Sequence, residues 1–196
     1  MITSIACYIT DFLFSREIID ETDKEIYLYG FEILFASMLN IIMIVLVGLL
    51  FGQFLSGICF FVSFSILRKF CGGYHADTYL VCNLVFAINV FIVMLMLKMK
   101  IYLSEEMLAG ILLVCLGIIT LYAPVRNKNK ELSDDDIKKY RSLSIVVGIF
   151  ITIISMGIRR LNTQISAAIN WALVSVAIAM LVEICRERRS KYGKES

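Results

Sequence analysis

The sequence predicts an all-α polytopic membrane protein in which six transmembrane helices follow N-terminal amphipathic surface helices. Of its 196 residues, 59% are apolar and one is proline, and the mean hydropathy is +0.81. Long apolar runs divide the chain, a pattern typical of membrane spans rather than of a soluble core. The net charge of +2 gives no indication of a nucleic-acid partner. Residues 1–196 are therefore expected to form a single integral membrane domain.

Residues 1–29 carry the amphipathic pattern. Apolar residues recur at helical spacing from Ile2 to Leu13 and again from Ile18 to Tyr29, with charged residues between them. Such segments are too polar to span a membrane and are expected to lie on its surface, although a helical hairpin packed on the rest of the protein has the same spacing. Acidic residues interrupt this region, so no secretory signal is predicted and the first span serves for targeting.

Six apolar runs follow, most of them near the ~20 residues needed to cross the hydrocarbon. Gly30 is expected to separate the surface helices from the first run. Pro124 is expected to close the fourth run, because proline cannot continue the hydrogen bonds of a helix. Residues 185–196 form a basic tail. The predicted spans are residues 31–51, 53–67, 79–97, 107–123, 143–158 and 165–184.

The distribution of basic residues predicts the orientation of these spans. With the N-terminus in the cytoplasm, 15 of the 19 lysines and arginines lie in cytoplasmic segments, which is the bias that membrane proteins show. Both termini and the segment from Arg68 to Cys82 are then cytoplasmic. A thiol in that compartment is expected to stay reduced.

The segment from Arg68 to Cys82 holds the residues best suited to chemistry. It contains the only histidine, His75, with Cys82 seven residues later and Gly72-Gly73 just before. Ionisable groups at a membrane boundary are costly and tend to mark sites, and glycine lets a substrate approach the backbone closely. The alternative is that the histidine makes interhelical hydrogen bonds and the cysteine is ordinary packing.

A catalytic pair of His75 and Cys82 imposes a condition on the backbone. Residues seven apart on one helix lie about 10 Å apart along its axis, whereas a nucleophile and its base approach within about 3 to 4 Å. No continuous helix can therefore join the two. We expect His75 in the turn after Gly72-Gly73. Asp77 or Thr78 would cap the third span and leave Cys82 one turn inside it, where the positive helix N-terminus favours the thiolate.

Other polar residues are candidates for orienting His75 or binding substrate. Asp77 is the nearest to it, but it is equally a helix cap. Arg68 can bind a carboxylate or stabilise an oxyanion, and it can equally anchor its helix at the interface. Further candidates, each with ordinary interhelical packing as the alternative, are Glu32, Glu183, Asn83 and Asn89.

No metal or other cofactor is predicted. Cys71, His75 and Cys82 have suitable side chains for a metal, but their spacing does not match the close cysteine pairs of structural zinc sites. A fourth ligand is also missing from the pattern.

The main extramembrane loop runs from Pro124 to Tyr140, and residues 133–136 can cap a short helix within it. This loop is expected to contact anionic lipid headgroups or, alternatively, to bind a charged peptide. Its candidate substrate-binding residues are Lys128, Lys130, Lys138 and Lys139.

Arg68, the run Gly72-Gly73-Tyr74-His75-Ala76 and Cys82 together resemble the core motif of the accessory gene regulator B (AgrB) family. Members of this family are integral membrane cysteine endopeptidases of Gram-positive bacteria. The resemblance extends to residues 29–32 at the first span, to residues 123–125 and 129–130 after the fourth, and to the six-span layout.

The resemblance implies that Cys82 is the nucleophile and His75 the general base, with Arg68 and Gly73 required nearby. It implies a substrate, a short AgrD-type precursor peptide with an acidic C-terminal tail. Cleavage through a thioester on Cys82 and attack by an internal cysteine or serine would yield a cyclic quorum-sensing pheromone. It further implies a homodimer in the bacterial cell membrane, in contact with membrane lipids.

Two other classes of function remain open from the sequence. A small transporter would use His75 and polar span residues to line a pathway, but matching breaks in both halves of the chain are expected for that class and the Gly72-Gly73 break is single. A noncatalytic membrane adaptor would need neither residue.

Overall fold

The computed structural model describes residues 2–74, 78–125 and 133–192, and the regular structure in these ranges is helical. A short 3-10 turn at Glu21–Asp23 precedes the second helix. In chain order the α-helices are α1 (Ile2–Ser15), α2 (Lys24–Phe51), α3 (Phe54–Cys71), α4 (Tyr79–Lys98), α5 (Glu105–Tyr122), α6 (Asp134–Arg159) and α7 (Thr163–Tyr192).

Helices α2 to α7 are long and apolar enough to cross a membrane. Large apolar side chains lie on their outer faces, among them Leu50, Leu113 and Leu121, which are 75%, 70% and 70% exposed. An apolar surface this extensive is unfavourable in water and is covered by lipid in a membrane protein. The chain is therefore a multi-pass membrane protein, and the predicted fold class is confirmed.

Helix α7 is the central helix of the bundle. It packs against α3, α4, α5 and α6. Its small residues Ala167, Ala168 and Ala172 are buried. Small side chains let helix backbones approach closely, which favours the packing of helices in lipid. Helix α7 thereby provides a wall shared by most of the bundle.

The N-terminal region differs from expectation after its first helix. Helix α1 confirms the first amphipathic pattern and packs against α2, with Ala6 buried and Lys24 Nζ 2.6 Å from Asp11 Oδ1. The prediction of a second surface helix at residues 18–29 is wrong, because residues 24–29 form the start of α2. Helix α2 also runs unbroken through Gly30. A single interior glycine costs a helix only about 1 kcal/mol, too little to end so long an apolar helix.

Local capping sets the other helix boundaries. Gly52, with φ of 68°, ends α2, and α5 ends at Tyr122, before Pro124 as expected. Ser133 caps α6, where its Oγ accepts a hydrogen bond of 3.2 Å from the Asp136 N–H. The short helix expected in the loop is therefore the first part of α6, which continues without a break through the span predicted at residues 143–158.

The bundle has two ends, and α3 and α5 end where α4 and α6 begin. We call this the Cys82 end. At the opposite end, Arg159 donates a hydrogen bond of 2.9 Å to the carbonyl of Leu103. Close to it, the buried Ser155 hydroxyl donates a hydrogen bond of 2.6 Å to the side-chain oxygen of Asn170. These bonds join the α4–α5 connection to α6, and α6 to α7.

Candidate active site

The segment Gly72–Tyr74 follows the end of α3 and is hydrogen-bonded to α7. Gly72 has φ of 74° and Gly73 has φ of 122°, values that glycine adopts far more readily than other residues. The next N–H, that of Tyr74, donates a hydrogen bond of 2.9 Å to the carbonyl of Ala179 in α7. The predicted helix break at Gly72-Gly73 is confirmed.

Neither glycine has room for a side chain. A Cβ atom on Gly72 would overlap the carbonyl oxygen of Val125, and one on Gly73 would overlap Nη1 of Arg68. The Val125 N–H in turn donates a hydrogen bond of 2.9 Å to the carbonyl of Cys71. The stretch after α5 is thus bonded to the end of α3, directly against the turn.

Arg68 holds the same turn from α3. Its Nη1 donates a hydrogen bond of 3.3 Å to the carbonyl of Gly72, and its Nη2 donates to the carbonyl of Tyr74. The guanidinium also interacts electrostatically with Cys82 and with Glu183 of α7. The Arg68 side chain therefore binds the backbone of the turn, rather than only anchoring its helix at the membrane interface.

Cys82 lies in the first turn of α4. Thr78 caps this helix, because its Oγ1 accepts a hydrogen bond of 3.4 Å from the N–H of Val81, and the Cys82 N–H donates one of 3.1 Å to the Thr78 carbonyl. The sequence predicted Asp77 or Thr78 as the cap of this helix, and the cap is Thr78. Since α4 begins at Tyr79, the helix that carries Cys82 does not contain His75. The backbone condition for a catalytic pair is met.

Cys82 and Arg68 line a cavity of about 1040 Å³. Its walls come from α2, α3, α4 and α7, with Pro124 and Tyr140 completing the Cys82 end. Ligand cavities in proteins typically measure ~300–1,000 Å³, so this one can hold a short stretch of peptide. Cys82 is a free cysteine and is partly exposed.

Charged groups are concentrated at the Cys82 end of this cavity. Among the described residues that line it, the charged ones are Arg68 and Lys69, both in the last turn of α3. Glu183 lies close behind, only 8% exposed, and its Oε2 has no hydrogen-bond partner in the ranges the structure describes. Attraction to Arg68 offsets part of the cost of burying this carboxylate.

The structure brings four of the predicted site residues together, and these are Arg68, Gly72, Gly73 and Cys82. The predicted His75, Asp77, Lys128 and Lys130 lie outside the described residues.

The remaining predicted substrate-binding residues do not line the cavity. Lys138 and Lys139 are exposed near the start of α6, where Lys138 Nζ lies 3.9 Å from Asp135 Oδ1. Glu32 is partly buried, and the cavity wall is formed by its neighbour Ile33.

Several residues of the site carried no signal in the sequence. Asn40 and Ser175 line the cavity from the middle of apolar spans, and Ala179 fixes the turn through its backbone carbonyl. A backbone contact leaves no mark on residue type. Asn89, one of the predicted candidates, does line the cavity, whereas Asn83 does not.

Within the described ranges, no group of three or more His, Cys, Asp or Glu side chains is placed to hold a metal ion. Cys71, one of the ligands considered from sequence, is fully buried in the apolar core with Leu67 and Ile119.

Comparison with known families gives a direct assignment. Residues 6–181 match the family model of Accessory gene regulator B. The chain belongs to the AgrB family. The resemblance seen in the motif at residues 68–82 is confirmed.

Relatives in the AgrB family share this chain across most of its length. An AgrB-like protein of Clostridium perfringens (strain SM101 / Type A) is 31% identical over 166 residues, covering 80% of this chain and 78% of the relative. Accessory gene regulator protein B of Staphylococcus aureus (strain MW2) is 24% identical over 152 residues, covering 78% and 79%. Protein FsrB of Enterococcus faecalis (strain ATCC 47077 / OG1RF) is 23% identical over 155 residues, covering 78% and 62%. No solved structure matches the chain. AgrB membership gives the chain a role in the accessory gene regulator quorum-sensing system.

Proposed function

We propose that this AgrB-family protein is a membrane-embedded cysteine endopeptidase that removes the C-terminal tail from a short AgrD-type precursor and promotes cyclisation of the remainder. The observation that carries the proposal is the position of Cys82. It stands in the first turn of α4, faces a cavity large enough for peptide, and lies near the Arg68 guanidinium. We place this end of the bundle at the cytoplasmic face, following the distribution of basic residues.

The first step forms a thioester. Cys82 Sγ attacks the carbonyl carbon of the peptide bond before the tail, and His75 accepts the thiol proton. The bond from carbon to nitrogen then breaks, and His75 returns the proton to the amine of the departing tail. The precursor remains attached to Cys82 through its new C-terminal carbonyl.

The second step closes the ring. A cysteine thiol or serine hydroxyl inside the precursor attacks the thioester carbonyl, and its proton passes through His75 to the departing sulfur of Cys82. The product is a thiolactone or a lactone, and the enzyme thiol is restored. Because the attacking group is tethered, its effective concentration is high, and a cavity within the bundle limits the competing attack by water.

The turn at Gly72–Tyr74 supports this chemistry by position. It is bonded to α7, to the stretch after α5 and to Arg68, so the chain immediately before His75 starts from a fixed point. A general base is effective only when its position is held relative to the nucleophile.

Co-expression with a candidate precursor tests the proposal. Mass spectrometry should find the released tail with the wild type and not with Cys82→Ala or His75→Ala. Cys185→Ala is the matched control, because Cys185 is exposed on α7 and does not line the cavity; it should process normally. A thioester mapped to Cys82 would support the first step, and equal cleavage by Cys82→Ala, His75→Ala and wild type would overturn the assignment.

The basic residues of the segment from Pro124 to Tyr140 are proposed to attract an acidic tail. Neutralising all four to glutamine should weaken processing several-fold at low salt and less at high salt, since exposed charges are screened. The four are Lys128, Lys130, Lys138 and Lys139. Lys98→Gln with Lys100→Gln, at the opposite end, is the control and should change nothing. Unaltered processing by the fourfold variant would remove this region from substrate binding.

A further inference from the structure

The inner end of the cavity carries three polar side chains, and one of them has an unpaired acceptor atom. Ser175 Oγ donates a hydrogen bond of 3.1 Å to Asn89 Oδ1, joining α7 to α4. Asn40 Oδ1, on α2, is shielded from solvent and has no hydrogen-bond partner in the ranges that the structure describes. All three side chains line the cavity.

The unpaired Oδ1 of Asn40 can accept a hydrogen bond from a ligand in the cavity. A buried carboxamide oxygen without a hydrogen bond keeps the cost of its lost hydration. Asparagine offers both a donor and an acceptor, and so does a peptide bond, which makes a peptide backbone a natural complement. Asn89 and Ser175 add further donor and acceptor capacity to the same cavity.

The distance from Cys82 sets the length of that peptide. Cys82 and Asn89 are seven residues apart on α4, so they share a face of the helix and lie about 10 Å apart along it. An extended chain covers about 3.3 Å per residue, so three residues span this distance. The wall between the two is apolar and includes Val85, Phe86 and Phe61.

We propose that this inner end is a subsite for the three residues that precede the bond cut at Cys82. Asn40 and Asn89 bind its backbone amides, and the apolar wall requires that the third residue be uncharged. The direction follows from the charges, because the lining cations Arg68 and Lys69 lie at the Cys82 end, where a charged tail is stabilised. This inference rests on the proposed function of Cys82 as the nucleophile.

Peptide aldehydes test the subsite, because an aldehyde carbon accepts a cysteine thiol and forms a reversible thiohemiacetal. The purified full-length protein is incubated with acetyl-Leu-Leu-leucinal, acetyl-Asp-Leu-leucinal, acetyl-Asn-Leu-leucinal or the short acetyl-leucinal. Iodoacetamide is then added, and mass spectrometry measures the alkylation of Cys82. Protection reports occupancy at Cys82 and does not require turnover.

The leucine and asparagine tripeptides should protect Cys82 at concentrations at least about tenfold lower than the aspartate tripeptide, because a carboxylate is costly in an apolar cavity. Asn40→Leu and Asn89→Leu should each weaken protection by the leucine tripeptide about three- to tenfold. Neither should alter protection by acetyl-leucinal, which does not reach the inner end. Asn83→Leu, on the same helix but off the cavity wall, is the matched control.

The outcomes separate the two proposals. Equal protection by the aspartate and leucine tripeptides, or equal weakening of the tripeptide and acetyl-leucinal by the asparagine variants, would overturn the subsite and leave the nucleophile intact. Loss of folded protein in Asn40→Leu would leave Asn89→Leu and the aspartate comparison to decide. No protection of Cys82 by any aldehyde would overturn the proposed function and the subsite with it.

Discussion

Replacing Gly72 by alanine tests whether the turn between α3 and α4 holds the site in place. A non-glycine residue at φ of 74° and ψ of −148° costs about 1–3 kcal/mol. The new Cβ would also overlap the Val125 carbonyl oxygen and lie 3.3 Å from two further backbone atoms of Val125. Moving Val125 away breaks its hydrogen bond to Cys71, worth about 1 kcal/mol.

Together these effects lower the equilibrium constant for forming the turn about 30- to 700-fold, since each 1.4 kcal/mol is a factor of ten. We therefore expect Gly72→Ala to reduce precursor processing by at least about tenfold while the helices still insert. The assay is tail release measured by mass spectrometry and normalised to the amount of membrane protein. Gly117→Ala is the control, because a Cβ there meets nothing within 4 Å.

Gly73→Ala should act through a different route. Its Cβ would overlap the end of the Arg68 side chain. That side chain can rotate away, but it then loses its hydrogen bonds to the carbonyls of Gly72 and Tyr74. Gly73→Ala and Arg68→Ala should therefore reduce processing by less in combination than the sum of their separate effects.

For the Gly72 prediction, wild-type processing by Gly72→Ala, or an equal loss in Gly117→Ala, would refute the reasoning.

Three further predictions concern stability and orientation. Ser155→Ala removes the hydroxyl that donates to the buried Asn170 Oδ1 and should lower stability to heat in detergent by about 0.5–2 kcal/mol; an unchanged melting temperature would show that this oxygen finds another donor. Gly48→Ala places a Cβ 3.2 Å from the Cα of Phe54 and should also destabilise, by about 1–3 kcal/mol, unless the α2–α3 turn shifts. In sealed vesicles, a membrane-impermeant maleimide should label the exposed Cys185 only when the cytoplasmic face is outward, and labelling in right-side-out vesicles would reverse the proposed orientation.

The parts of the fold that sequence predicted depend on short-range signals. Apolar runs located the six spans, because crossing a membrane requires a long apolar helix whatever its neighbours are. The turn at Gly72-Gly73 was visible because glycine is the residue that tolerates positive φ. Thr78 and Ser133 were recognisable as caps by residue type. Cys82 was a candidate site residue because it follows that turn and His75 in the sequence.

The parts that sequence did not predict depend on contacts between distant residues. An apolar run shows that a helix spans but not how it is rotated, so Asn83 and Asn89 were equal candidates until packing turned one of them toward the cavity. Hydropathy located the apolar part of α6 but did not show that the helix capped at Ser133 continues into it without a break. The boundary at Gly30 failed since local propensity is weak against a long helix.

The bond from Tyr74 to Ala179 links the order of synthesis to the state of the site. Ala179 follows Tyr74 by more than a hundred residues, so the ribosome must make α4, α5, α6 and most of α7 before that bond can form. A partly made chain exposes Cys82 without the bond to α7 that fixes the turn before His75. The turn before His75 can therefore be fixed only after Ala179 has been made. Chains truncated before Ala179 are expected to enter the membrane without an assembled site.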